Sequence, residues 1–158
     1  MAIDEGKAAP AFTLEDQDGN RVSLSQFKGK QAVVLYFYPK DDTPGCTKEA
    51  CGFRDFNRDL QKAGVAVLGV SADSGESHKK FISKYKLNFP LLSDPDRKVM
   101  KAYGAYGEKM MYGKKTVGVI RSTALIGRDG KVVKHWAKVA NAEKHPEQVL
   151  AAVKELGA

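Results

Sequence analysis

Residues 31–38 read Gln-Ala-Val-Val-Leu-Tyr-Phe-Tyr, and residues 64–71 read Gly-Val-Ala-Val-Leu-Gly-Val-Ser. Both runs are short, apolar and rich in β-branched or aromatic side chains, the composition of a strand buried on both faces. Between them, Phe53, Phe56 and Leu60 recur at the spacing of one helix face within Thr43 to Lys62. Strand, helix and strand within about 40 residues make a βαβ unit, which requires parallel pairing and a right-handed crossover.

The rest of the chain builds outward from that unit. Phe12 to Leu14 and Arg21 to Leu24, joined by Asp18-Gly19-Asn20, predict a small opening hairpin. Phe81, Ile82 and Tyr85 stripe a second helix over Glu76 to Tyr85. Phe89 to Leu92 predicts a short strand, and Asp94-Pro95 opens a helical turn running through Met100 to Tyr103. Ser122 to Ile126 and Val132 to Ala137 flank Gly127-Arg-Asp-Gly130, where Asp-Gly signals a hairpin. His145-Pro146 opens a last helix carrying Val149, Leu150, Val153 and Leu156. Parallel strands followed by an antiparallel hairpin and a closing helix form a thioredoxin-like α/β pattern, a central mixed sheet flanked by helices. No linker, repeat or low-complexity tract interrupts it, so a single domain over residues 1–158 is expected.

Composition narrows the function classes. The net charge is +7, but the basic residues are scattered and cluster only as pairs such as Lys79-Lys80 and Lys114-Lys115. A nucleic-acid module would concentrate them on one face, so neither nucleic acid nor membrane is expected as a partner. The start, Met1-Ala-Ile-Asp-Glu-Gly-Lys, puts charges where a secretory leader carries its apolar stretch, and cytoplasmic localisation is expected. The cysteines are Cys46 and Cys51 alone, too few for a disulfide-stapled scaffold. His78, His135 and His145 are isolated, so no zinc site, and no other metal or cofactor, is anticipated.

In open α/β sheets chemistry gathers beyond the carboxyl ends of the strands. There the chain reads Tyr38-Pro-Lys-Asp-Asp-Thr43-Pro-Gly-Cys46-Thr-Lys-Glu-Ala-Cys51. Thr43 before Pro44 is a helix start, with a hydroxyl at the N-cap and proline at the first helical position. That register puts Cys46 in the first turn, among unpaired backbone N–H groups and the positive end of the helix dipole, which favour a thiolate. Gly45 leaves room for a small substrate, and Pro39 fixes the turn out of the strand. The competing role for Cys46 is that of an inert core thiol, which its polar, Pro/Gly-rich context opposes. Cys51 is on the same helix, either as core filler or as a second reactive thiol. Five residues apart on an intact helix, the two Cα atoms stand about 8.6 Å apart on opposed faces. A disulfide needs less than about 7 Å, so if these thiols pair, the first turns must unwind.

Pro39-x-x-x-Thr43-x-x-Cys46 resembles the peroxidatic motif of peroxiredoxins. Tyr36-Phe-Tyr-Pro-Lys, Thr43-Pro-Gly-Cys-Thr and Glu49-Ala-Cys51 resemble the peroxiredoxin Q, or bacterioferritin comigratory protein, subfamily. The likeness extends to Asn88-Phe-Pro-Leu-Leu-Ser-Asp94 and Gly118-Val-Ile-Arg-Ser-Thr123. The resemblance implies a thiol-specific peroxidase acting on hydrogen peroxide and organic hydroperoxides without a cofactor. It implies an active-site quartet of Pro39, Thr43, Cys46 and Arg121, with Cys51 as resolving thiol. It implies a thioredoxin-type dithiol protein as reductant, and a monomer. Arg121 makes physical sense there, since a guanidinium beside the sulfur favours its ionised form and can bind both peroxide oxygens. Glu49, one turn after Cys46, either orients Arg121 or is a plain exposed carboxylate. Two positions depart from the subfamily: Ala124 stands in place of an aromatic residue, which would loosen packing below Arg121 or enlarge the pocket. Gly127 replaces an acidic residue, with consequences for the hairpin alone.

The rival within the same fold is a thiol- or copper-binding chaperone. That function wants cysteines four apart and a placed histidine, whereas here the spacing is five and no motif surrounds His135.

Overall fold

The computed structural model describes residues 3–111 and 113–156. The chain opens with the antiparallel pair β1 (Thr13–Glu15) and β2 (Arg21–Ser23), then enters the βαβ unit of β3 (Ala32–Phe37), α1 (Pro44–Lys62) and β4 (Val65–Ser71). Next come α2 (Gly75–Tyr85), β5 (Leu91–Ser93) and the short α3 (Lys98–Ala102). A ribbon of β6 (Tyr106–Met111) and β7 (Lys114–Val119) precedes the hairpin of β8 (Ser122–Ile126) and β9 (Val132–Trp136), and α4 (His145–Leu156) closes the chain. One seven-stranded sheet runs β2-β1-β5-β4-β3-β8-β9, with β3, β4 and β5 parallel and the outer strands antiparallel. This is the thioredoxin-like mixed sheet expected from the sequence.

Every residue of β3 is buried because helices and loops cover both sheet faces. Ala32, Val34 and Tyr36 pack with Phe53 and Leu60 of α1, Phe81 of α2, and Val149 and Val153 of α4. Val33, Leu35 and Phe37 point the other way, toward Phe12, Met100, Tyr103 and Ile126. The period-2 alternation of a strand thus feeds two separate cores, which is why the sequence run is apolar throughout.

Three elements differ from expectation. The strand expected over Phe89 to Leu92 starts at Leu91, because Pro90 has no N–H to give the ladder. The turn expected from Asp94 becomes helical only at Lys98, after Arg97 takes a left-handed conformation (φ 63°). The β6–β7 ribbon was not anticipated, since its lysines and glycines hide any strand alternation. Met1 and Ala2, at the start of the chain, and the side chain of Leu156 lie outside the described residues. Among the described residues no helix is long and apolar enough to cross a membrane.

Two registers position the site. Phe37 pairs with Val70 on one side and with Ser122 on the other. The residue before β8, Arg121, therefore lies at the carboxyl end of β3, where α1 begins.

Candidate active site

Pairing continues one residue past β3, with the Tyr38 N–H donating to Val70 O at 3.0 Å. Pro39, half-buried, then ends it because it has no N–H. Asp42 takes a left-handed φ of 58°, and Thr43 follows in extended conformation as the N-cap of α1, with Pro44 at the first helical position. The Thr43 carbonyl accepts the first helical bond from Thr47 N–H at 2.8 Å. Its hydroxyl departs from expectation: among the described residues it makes no cap bond and donates instead to Lys40 O at 2.9 Å, tying the turn together.

Cys46 falls in the first turn of α1, as the sequence implied, and is 1% exposed. Its own N–H and that of Gly45 have no acceptor within the helix, so they face the region in front of the turn. Arg121 Nη2 donates to Cys46 Sγ at 3.2 Å, and Arg121 Nη1 donates to Glu49 Oε1 at 2.7 Å. The guanidinium lies across the first turn: a Cβ added at Gly45 would stand 3.2 Å from Arg121 Nη2. Gly45 thus leaves room for the arginine.

Glu49 is fully buried rather than an exposed carboxylate. Burial raises its pKa to about 7, against the pull of the Arg121 charge and hydrogen bond. Its second oxygen, Oε2, and the Tyr36 hydroxyl are buried with no hydrogen-bond partner among the described residues. Burial also holds the Tyr36 phenol well above its ordinary range, with Glu49 adding to the effect.

Cys51 is half-buried further along the same unbroken helix, and both thiols are free. Ala124 belongs to the core on the sheet face opposite Cys46, alongside Phe37, Val119 and Ile126, so the missing aromatic does not enlarge the space around the sulfur. Gly127 sits in the hairpin, its N–H donating to Lys131 O at 2.9 Å.

Sequence reading missed the groups that seat the 38–43 turn. Asp41 accepts from the Tyr38 hydroxyl at 2.5 Å and from the Ser77 hydroxyl at 2.8 Å, and its Oδ2 lies 2.7 Å from His78 Nδ1. Asp42 accepts from Lys84 Nζ and from the Tyr85 hydroxyl, each at 2.8 Å. The paired aspartates before the helix were the available signal, but no spacing rule connects them to α2. His145 was likewise seen as an isolated residue. It is buried at the head of α4, its pKa is lowered by burial to about 4, and its Nε2 is 2.8 Å from the Thr123 hydroxyl.

Residues 6–135 match the model of the AhpC/TSA family. The chain is 47% identical over 150 residues to the peroxiredoxin Bcp of Escherichia coli K12, covering 95% of both chains. It is 42% identical over 156 residues to the peroxiredoxin Bcp of Bacillus subtilis, covering 99% of this chain and 98% of that one. A bacterioferritin comigratory protein of Xanthomonas campestris, solved in work on its alkyl peroxide reduction, superposes with a TM-score of 0.89 at 40% identity, over 98% of this chain and all of that one.

Proposed function

Because the chain belongs to the AhpC/TSA family and is a thiol peroxidase of the peroxiredoxin type, we propose that Cys46 attacks the peroxide and Cys51 resolves the product. Pro39, Thr43 and Arg121 complete the site in this reading. The observation that carries it is the Arg121 guanidinium 3.2 Å from Cys46 Sγ in the first turn of α1. As a thiolate, the sulfur there accepts a charge-assisted hydrogen bond and faces free backbone donors.

The substrate is hydrogen peroxide or an organic hydroperoxide. Cys46 Sγ attacks the terminal peroxide oxygen; an S–O bond forms as the O–O bond breaks, and sulfur is oxidised by two electrons. The departing oxygen takes a proton and leaves as water or an alcohol. Arg121, held by Glu49, has its donors aimed where the two peroxide oxygens separate, so charge growing on them meets a fixed cation. The Thr43 hydroxyl oxygen remains free to accept a hydrogen bond from the incoming hydroperoxide while its proton stays on Lys40 O.

Resolution follows from the helix geometry. The start of α1 unwinds, the Cys51 thiolate attacks the sulfenic sulfur, an S–S bond replaces the S–O bond, and the oxygen leaves as water. A thioredoxin-type dithiol protein then reduces the disulfide by exchange, returning both thiols. Such a cycle runs where that dithiol is regenerated, as in a cytoplasm, and needs only a monomer because both cysteines lie on one chain. The copper-chaperone reading is not favoured by the relatives, which are peroxiredoxins.

Thioredoxin-coupled peroxide consumption tests the reading: Cys46→Ser abolishes turnover, and a variant as fast as wild type overturns the role of Cys46. Mass mapping after one equivalent of peroxide is expected to find a Cys46–Cys51 disulfide. Amide exchange at residues 46–51 is expected to rise sharply in that disulfide form, and equal protection in both redox states would sink the unwinding step.

A further inference from the structure

The turn that delivers Thr43 and Cys46 is fastened to α2 at two adjacent points. The inner one is buried. Asp41 is 7% exposed and His78 0%. His78 Nε2 lies 3.0 Å from Leu92 O, a carbonyl that only accepts, so that nitrogen carries a hydrogen. Asp41 already receives the Tyr38 hydroxyl on Oδ1 and the Ser77 hydroxyl on Oδ2, and burial keeps the Tyr38 phenol well above its ordinary range and hence protonated. The short 2.7 Å contact between His78 Nδ1 and Asp41 Oδ2 then closes a buried network in which the histidine is held at both ring nitrogens. The Asp41 backbone is fixed as well, its N–H donating at 2.8 Å to Asp73 Oδ2, which also accepts from Ser71 Oγ.

The outer point holds strain. Asp42 keeps a left-handed φ of 58° directly before the N-cap, with Lys84 and Tyr85 bonded to its carboxylate. A non-glycine residue in that region is uncommon and persists where its surroundings impose it. Here they are the Asp41 anchorage on one side and the α2 side chains on the other. Relaxing the turn relieves the strain, so the structure as formed is biased shut only while the anchorage holds.

We propose that Asp41 and His78 form a latch that holds the 38–43 turn in the arrangement that attacks peroxide, and that its release is part of the opening that lets Cys51 reach Cys46. The inference rests on the resolving role assigned above to Cys51. Asp41, His78 and Ser77 are positioning residues: they touch neither the sulfur nor the peroxide, and they act by setting how often the start of α1 opens. A contact made only in the closed form shifts the equilibrium by its own differential strength. Weakening it therefore speeds closure of the disulfide. It also lowers the chance that a second peroxide oxidises the waiting sulfenic acid to sulfinic acid.

The test measures two steps separately by rapid mixing with hydrogen peroxide and thiol-mapping mass spectrometry. Ser77→Ala, which removes one donor from Asp41, is expected to speed disulfide closure about threefold. His78→Gln, which breaks the buried pair, is expected to speed it about tenfold or more. The peroxide concentration that converts half the protein to sulfinate rises by the same factors, and sulfenate formation changes less than closure does. Glu76→Ala, on the exposed side of α2, leaves both steps unchanged. If His78→Gln folds poorly, Ser77→Ala carries the result. Closure no faster than wild type in both variants, with only a lowered melting temperature, means a purely structural pair and overturns the latch. The Asp41 amide gives a direct reading: protected when reduced, it exchanges fast in the disulfide form, and persistent protection overturns the release. Absence of a Cys46–Cys51 disulfide in the wild type overturns the resolving role and the latch together, and is told apart because it appears before any variant is made.

Discussion

Glu49 sits where a carboxylate is hardest to keep ionised, walled in completely and holding one arginine. Its folded pKa of about 7 lies above the ordinary 4.5 because burial outweighs Arg121. Between those values an unfolded chain has given up this proton while the folded one retains it. The contribution of Glu49 to stability therefore falls as pH rises through that window and is level above it. The window corresponds to about 3 kcal/mol. Glu49→Gln removes it: the wild-type-minus-variant unfolding free energy in urea is expected to drop by about 3 kcal/mol between pH 4.5 and neutrality. A difference that does not vary with pH would refute this assignment. At this scale the sequence was most legible where local rules apply. Thr43-Pro44 placed the helix start, and with it Cys46, to the residue. Burial of Glu49 and capture of the Thr43 hydroxyl by Lys40 depend on groups brought in from elsewhere, which no local rule reports.

Helix α1 is pressed against α4 at Gly52, next to Cys51. A Cβ there would stand 2.7 Å from Pro146 Cγ, and the contact can be relieved only by moving one helix, since the proline ring is rigid. Gly52→Ala is expected to cost about 1–3 kcal/mol, read as a lower urea midpoint with an unchanged slope. An unaffected midpoint would show that α4 yields freely. Elements with a strong period, β3, β4, α1, α2 and α4, lay within a residue or two of where the pattern put them. β5 was shifted by Pro90, which removes a donor, and α3 shrank because Arg97 turns left-handed before it. Among the described residues the β6–β7 ribbon pairs only with itself, and its exposed Met110 and Val117 share the strands with lysines; only its inner end, at Tyr106 and Val119, reaches the core, too short a stretch to read as a strand face.

Across the whole molecule the sheet keeps two cores apart, one carrying Cys46 and the other Ala124. Ala124→Leu overfills the second and is expected to cost about 1–3 kcal/mol while the rate of sulfenate formation stays within about twofold. A tenfold change in that rate would show that the sheet transmits packing strain to the sulfur. The sheet order was legible in outline from βαβ followed by a hairpin. The β3–β8 register was not, because strand pairing at that separation is decided by the fit of two complete cores. That register has a consequence for a chain still being made. Cys46 and Cys51 emerge long before Arg121, which reaches the sulfur only once β8 has docked beside β3. Until then the nascent thiol has no cation beside it, and on the role proposed for Arg121 it is expected to react with peroxide no faster than an ordinary free cysteine. On that role synthesis and defence are kept in sequence, and the half-built molecule is spared the oxidant that the finished one removes.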